Sequence, residues 1–128
     1  MREIQVHPAS GKYGQKIQIG PHELASDEPK DAFGDDTGPA PHELLLAALG
    51  SCTSMTVKLY ADRKEWPLDA VHVRLNGRHE KGGFLIERTL HVAGALSDEQ
   101  KARLVEIADK CPVANTLKGT IRIHTALG

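Results

Sequence analysis

The sequence predicts an α+β fold, and three observations carry that prediction. Apolar and polar residues alternate in two pairs of short segments, each pair joined by turn-forming residues. Two longer segments carry helical start and stop signals. The repeated strand-helix-strand order that builds a parallel sheet is absent. With 128 residues the chain is long enough for one domain with a real core and too short for two comfortable ones, so it is read as a single domain, residues 1–128.

The elements follow in order. "REIQVH" and "QKIQIG" alternate on either side of "PASGKYG", a cluster of turn formers, and predict a hairpin. The next stretch, "PHELASDEPKDAFGDDTGPAP", holds four of the seven prolines and no period, so it is a loop, shortened if His22 to Ala25 form a strand. Pro41 suits the first turn of a helix, and the pattern runs on through "HELLLAALGSCTSMTVKLYADRKE" until Trp66-Pro67 stops it. The first half of that helix, Leu44 to Leu49, has no polar face. It must be covered on most sides, and a small domain has little material for the task, so a second copy of the chain is expected to help.

"LDAVHVRLNGRHE" and "GFLIERTLHVAG" both alternate and predict a second hairpin around Lys81-Gly82-Gly83, with Val71, Val73 and Leu75 on one face and Phe84, Ile86, Leu90 and Val92 on another. Arg88 interrupts that apolar row, which ordinarily marks a strand end or a solvated edge and occasionally a buried functional cation. Ser97 followed by Gln100 is a capping-box pattern, and Leu104, Val105, Ile107 and Ala108 are the expected buried stripe of the second helix. Cys111-Pro112 ends it. Pro112 can start a short helix through Leu117, which would make Cys111 its N-cap, and "TIRIHTAL" closes the chain as a strand with Ile121 and Ile123 facing in.

Composition narrows the function classes. A net charge of −1 gives no strong field for nucleic acid or an anionic membrane, so neither is an expected partner. No secretory start opens the chain and no apolar run approaches the roughly 18 residues of a membrane span, so the protein reads as cytoplasmic. Two cysteines without a C-x-x-C pair form neither a disulfide scaffold nor a structural zinc site; if they matter, they matter as thiols. His72, His91 and His124 stand singly at polar strand positions, so no metal is expected. The glycines make no phosphate loop, since "GDDTGPAP" is acidic, and Ser51 and Ser54 lack the strand-to-helix setting of a nucleophilic serine. Composition alone reads Cys52 as one more small buried residue. Cys111, at a Cys-Pro junction between helices, is the better candidate for a perturbed thiol.

Two distant blocks, "GPAPHELLLAALGSCTSMTVKLYADRKEWPL" and "LSDEQKARLVEIADKCPVANTL", followed by "IRIHTAL", resemble the OsmC/Ohr family of organic hydroperoxide-reducing and related proteins. The pairing of the first cysteine helix with the later C-P-V-x-x-T-L is specific, and it covers most of the chain. The resemblance implies an OsmC-like α+β fold with antiparallel sheets, a long central helix and a second helix, in an intertwined homodimer with its sites at the interface. It also implies a two-cysteine thiol peroxidase of the oxidative-stress response, without a cofactor. Cys52 matches the peroxidatic cysteine and Cys111 the resolving one. The Cys52 thiolate would attack the peroxide and become sulfenic acid, Cys111 would capture it as a disulfide, and a dithiol such as a lipoyl group would reset the pair.

In the peroxidase branches an arginine in the first turn and a glutamate ten residues before the first cysteine steady the thiolate. Here Lys12 stands where that arginine is placed, a point charge in place of a fork, while His42 lies ten and Glu43 nine residues before Cys52, so that either takes the acid's place. Nine residues of continuous helix span about 13 Å, so contact between Glu43 and Cys52 needs a break near Gly50 or a partner chain. The resemblance is accordingly nearer to the OsmC-like branch of less defined activity. The rival expectation is a non-enzymatic dimer that binds a small apolar ligand in its interface groove.

Overall fold

The computed structural model describes residues 1–128. They form two compact units, Met1–Leu45 and Leu46–Gly128.

The first unit is a three-stranded antiparallel sheet and a long loop. Strands β1 (Ile4–Pro8) and β2 (Gln15–Ile19) pair in the register Ile4↔Ile19 to Pro8↔Gln15, as the alternation predicts. A two-residue turn leads to β3 (His22–Ser26). Its first residue, Gly20, has φ of 56°, a conformation that costs a side chain and leaves glycine unstrained. After β3 the loop wraps around one carboxylate. Asp27 Oδ1 accepts the Glu28 N–H at 2.7 Å, and Oδ2 accepts the N–H groups of Asp35 and Thr37 at 3.3 and 3.1 Å and the Thr37 hydroxyl at 2.7 Å. A proline-rich acidic stretch with no period is thus ordered by a single side chain.

Helix α1 (Pro41–Arg63) runs without a break through Gly50. Its buried positions, Leu49, Gly50, Thr53, Val57 and Ala61, recur every three or four residues, so one face is packed. The opposite face leaves Met55 71% and Leu59 51% exposed. The expected cover on most sides is therefore not supplied by this chain. With a mean hydropathy of 1.4 over 18 residues, α1 is also long and apolar enough to cross a bilayer, which corrects the expectation that no segment approaches one. Core helices share that property. The helix ends where Glu65 takes φ of 58° and the Trp66 N–H reaches back to the Ala61 carbonyl, just before Pro67.

In the second unit β4 (Leu68–Glu80) and β5 (Gly83–Gly94) form the predicted hairpin, turning at Lys81-Gly82 with Gly82 at φ of 82°. Helix α2 (Asp98–Ala108) has the expected capping box: the Gln100 N–H donates to Ser97 Oγ and the Ser97 N–H to Gln100 Oε1. Leu104, Ile107 and Ala108 join Val57, Ala61 and Leu68 in the main core. Val105 does not. It lies 56% exposed because one residue turns about 100° around a helix, and the 104–107–108 stripe already defines the buried face. Helix α3 (Pro112–Lys118) follows with Cys111 as its N-cap, as predicted.

The closing strand is not formed. Residues 121–128 join no ladder, and Ile121 and Ile123 are 55% and 85% exposed, so neither faces in. Alternation makes a segment competent for a strand, but a strand exists only where a neighbouring edge accepts its hydrogen bonds.

Candidate functional site

The site is assembled from α1, β5 and the turn between α2 and α3. Gly50 allows the approach. A Cβ there would sit 2.7 Å from Leu75 Cδ1, so the missing side chain lets β4 lie close against α1. Leu75 pairs across the hairpin with Arg88, which brings the Arg88 side chain beside the next turn of α1. On that turn, Thr53 is fully buried and Cys52 partly so.

Cys52 and Cys111, 59 residues apart in sequence, meet here. Cys111 forms a buried cluster with Leu49 and Ala114, and Cys52 packs against that cluster. Cys52 Sγ also lies 4.0 Å from Thr56 Oγ1. Cys111 is fully buried and better supplied: its sulfur accepts the Ala114 N–H at 3.4 Å, stands 3.7 Å from Thr53 Oγ1 and receives Arg88 Nη1 at 3.9 Å. Burial pushes the Cys111 thiol up. The Ala114 N–H, the Thr53 hydroxyl, the Cys52 thiol and the Arg88 charge together outweigh it and hold the group below its ordinary value.

Arg88 meets the rarer of its two expectations, a buried cation. The ordinary expectation was a strand end or solvated edge, but the side chain lies mid-strand on the inward face and is only 13% exposed. Its fork divides: Nη2 donates to Asp109 Oδ1 at 2.7 Å, and Nη1 donates to Thr53 Oγ1 at 2.9 Å with Cys111 beyond. Asp109 itself is 64% exposed and shared with Lys118 at 3.8 Å. The signal was present in the sequence as a single charge at an inward position between Ile86 and Leu90. Thr53 carried no signal at all, since a threonine inside an apolar helix is unremarkable.

The remaining candidates lie in the first unit. Lys12 Nζ stands over the ring of Tyr13, 5.2 Å from its centroid, in the turn between β1 and β2. Glu43 Oε1 accepts the Ala40 N–H at 2.8 Å, so its carboxylate serves the N-terminus of its own helix. The break near Gly50 that would bring Glu43 back along the helix toward Cys52 is absent. His42 lies exposed at the second position of α1. No group of three or more histidine, cysteine or acidic side chains is arranged to hold a metal ion.

Next to the surroundings of Cys111 opens a cleft of about 390 Å³, which neither cysteine lines. Leu49, Ile86, Ala114 and Leu117 give it an apolar lining with Phe84 alongside, and Arg88, Asp109 and Lys118 supply its charged groups. It shares Leu49, Ala114 and Arg88 with the surroundings of Cys111. A partly exposed thiol, a buried and donor-rich second thiol and a nearby cleft with apolar and charged walls form an arrangement suited to sulfur redox chemistry on a small organic molecule.

A search of curated proteins by sequence finds no relative. Solved structures do match. An OsmC-like protein of Mycoplasma pneumoniae superposes with a TM-score of 0.79 at 20% identity, over 93% of this chain and 88% of that one. The organic hydroperoxide resistance protein OsmC of Legionella pneumophila gives 0.69 at 19%, over 93% and 90%. An organic hydroperoxide resistance protein of Elizabethkingia anophelis gives 0.64 at 24%, over 93% and 90%. These likenesses establish the fold. The sequence pattern of the OsmC-like proteins matches residues 34–126, which include both cysteines and Arg88, and the chain belongs to the OsmC-like family.

Proposed function

We propose that the protein reduces organic hydroperoxides through Cys52 and Cys111 as part of a peroxide-stress response. The observation that carries this reading is that two thiols far apart in the second unit's sequence come to one cluster, one partly exposed and one held by donors. Family membership supports it, as does the likeness to two proteins named for organic hydroperoxide resistance.

The reaction has three steps. Cys52 sulfur attacks the distal peroxide oxygen; the O–O bond breaks, an alcohol leaves and Cys52 becomes sulfenic acid. Cys111 sulfur then displaces hydroxide from Cys52 to form the disulfide. Cys111 lies in the cluster against which Cys52 packs, which is where the sulfur–sulfur bond of about 2 Å would form. A dithiol, such as a lipoyl group, exchanges with the disulfide and leaves oxidised, returning both thiols. The apolar wall of the cleft, Leu49, Ile86, Ala114 and Leu117, holds the organic part of the peroxide. Such a cycle belongs in a reducing compartment, and we place the protein in the cytoplasm.

A second copy of the chain completes the assembly in this reading. Met55 and Leu59 on α1, and Ile121 and Ile123 in the closing segment, are apolar and exposed in one chain, and a homodimer would cover them. A species of monomer mass in sedimentation at micromolar concentration overturns the dimer.

The test of activity is a thiol titration. One equivalent of cumene hydroperoxide is added to the reduced protein, and free thiols and intact mass are followed. The expected result is loss of two thiols with a mass decrease of two hydrogens, abolished in Cys52→Ser. In Cys111→Ser the oxidation stops at sulfenic acid or goes further on Cys52. Thiols that stay unreactive for an hour overturn the reading and leave the cleft as a binding site for an apolar ligand.

A further inference from the structure

We propose that Phe84, seated over Gly77, sets the size of the organic group the cleft accepts, and that the cleft is built for compact aryl or branched alkyl hydroperoxides in preference to straight-chain ones. The inference rests on the peroxidase reading above and names the substrate class of that site and the side chain that selects it.

The strand register gives the cleft two ends. Arg88, Ile86 and Phe84 stand at alternate positions of β5, so they share one face of the hairpin, and all three line the cleft. From Arg88 to Phe84 the strand rises about 13 Å. At the first end Arg88 Nη1 reaches Cys111 Sγ at 3.9 Å, and Leu49 stands one turn before Cys52 on α1, so the reacting oxygen belongs there. At the other end, next to the Lys81-Gly82 turn, the lining residue is Phe84. The organic group therefore runs from Arg88 past Ile86, and the aromatic ring is the last wall it meets.

Gly77 decides where that ring lies. It sits opposite Ile86, and a Cβ there would fall 2.7 and 2.9 Å from Phe84 Cζ and Cε1 and 3.2 Å from Leu46 Cδ2. Its backbone makes no demand for glycine: unlike Gly82 it is not left-handed, and glycine inside a strand weakens the strand. What the missing side chain provides is room, and the Phe84 ring uses it by reaching diagonally from β5 across β4. His79, directly across the hairpin from Phe84, meets the ring edge-on with 4.8 Å between centroids and so fixes its tilt. Gly77 is thus a positioning residue that acts through Phe84.

The consequence is selection by shape. A phenyl or branched alkyl group seated on Ile86 ends at the Phe84 ring and packs against it. A long straight chain has to run past the ring into water or push it off Gly77, and either course leaves apolar surface exposed. Removing the ring joins the cleft to the space over Gly77 as far as Leu46. Adding a methyl group at Gly77 drives the ring the other way, into the cleft. The two substitutions act in opposite directions on one volume, and that gives the test its sign.

The first arm of the test needs no turnover. Two alcohols of the kind the reaction releases, 2-phenyl-2-propanol and 1-decanol, are titrated into the reduced protein and their binding is measured by calorimetry. Phe84→Ala is expected to raise the affinity of 1-decanol relative to 2-phenyl-2-propanol about tenfold or more, since each newly buried methylene is worth about fourfold. Gly77→Ala is expected to weaken 2-phenyl-2-propanol about tenfold, and Phe84→Leu in the same chain to restore it by withdrawing the ring atoms that collide. A loss of strand stability alone has no such rescue. If Gly77→Ala does not fold, Phe84→Ala and Phe84→Leu decide, the leucine falling between alanine and the unsubstituted protein. An affinity ratio that stays fixed in folded Phe84→Ala, or an unsubstituted protein that binds neither alcohol, overturns the proposal.

The second arm compares the rates of thiol loss with cumene hydroperoxide and with 1-decyl hydroperoxide. Phe84→Ala is expected to move the ratio of the two rates toward the decyl compound by about the factor seen for the alcohols. If the protein reacts with peroxide and that ratio stays fixed, the proposal falls while the peroxidase reading stands. If the alcohol affinities shift as expected and no form of the protein reacts with either peroxide, the peroxidase reading falls and Phe84 remains the size filter of an apolar binding site.

Discussion

Two polar networks sit in this chain, one around Asp27 and one around Cys111, and each gathers several donors on a single acidic group. Around Asp27 every donor is local: two backbone N–H groups and the N–H and hydroxyl of Thr37, all within ten residues. Both carboxylate oxygens are filled, and no second titratable side chain donates to them. Around Cys111 the donors come from α1, β5 and α3, the acceptor is a nucleophile, and Thr53 has more neighbours than protons. A satisfied local network fixes a loop, whereas an over-subscribed one assembled across elements can change its protonation. The number of hydrogen bonds does not distinguish them; their origin and their slack do.

The sharpest way to break that comparison is to remove the same hydroxyl from each. Thr53→Val keeps the shape of a fully buried side chain but leaves the inner arm of Arg88 without its nearest acceptor, at an expected loss of about 1–3 kcal/mol in unfolding free energy. Thr37→Val removes one of four donors from Asp27 and leaves three backbone N–H groups in place, so its expected effect on the urea midpoint is smaller. Equal losses would mean that the Cys111 network is as self-contained as the loop.

Acidity separates the networks by pH window. Thr37 first, through its hydroxyl and N–H, and then Glu28 and Asp35 hold Asp27 below the ordinary carboxylate value against the effect of burial. The folded state therefore binds the proton less readily than the unfolded one. Its stabilising effect is complete above about pH 4 and is lost as the pH falls through the lowered folded value. Cys111 obeys the same sign at higher pH. Its contribution is complete above the unfolded thiol value of about 8.5 and is lost as the pH falls through the lowered folded value. Urea titrations are expected to show Asp27→Asn flattening the acid limb alone and Cys111→Ser flattening only the rise toward alkaline pH. A single substitution that flattened both would refute the separation.

These networks also mark the limit of what the sequence discloses. Turn clusters, alternation, Pro41 and the Ser97 capping box locate both hairpins and all three helices, because each signal is local and its partner lies within a few residues. Cys111-Pro112 even places a thiol at an N-cap. The closing segment fails for the opposite reason: "TIRIHTAL" has the pattern of a strand, but pairing depends on an edge that the pattern does not name. Arg88 and Thr53 fail likewise. An arginine among apolar residues is legible as an anomaly, but whether it meets water or a sulfur depends on how closely β4 approaches α1. The stretch from Asp27 to Thr37 is legible as a loop but its order is not, because that order comes from one carboxylate gathering backbone donors, which leaves no periodicity.

That approach rests on Gly50, and it allows the gentlest test. Alanine is worth about 1 kcal/mol more than glycine inside a helix, so Gly50→Ala should stabilise α1 in isolation. In the folded unit its Cβ would lie 2.7 Å from Leu75 Cδ1, the end of a side chain that can turn away. Yielding costs packing of about the size of the helix gain, and the net change in unfolding free energy is expected within about 1 kcal/mol of zero. The thiol chemistry is not similarly buffered. Leu75 is the cross-strand partner of Arg88, so a shift of a few tenths of an ångström at Leu75 is felt where Arg88 Nη1 reaches Thr53 and Cys111. Nearly unchanged stability with a higher Cys111 titration midpoint is the expected signature of a glycine retained for the approach it permits. An unchanged midpoint would show that Arg88 holds its position independently of how tightly β4 packs on α1.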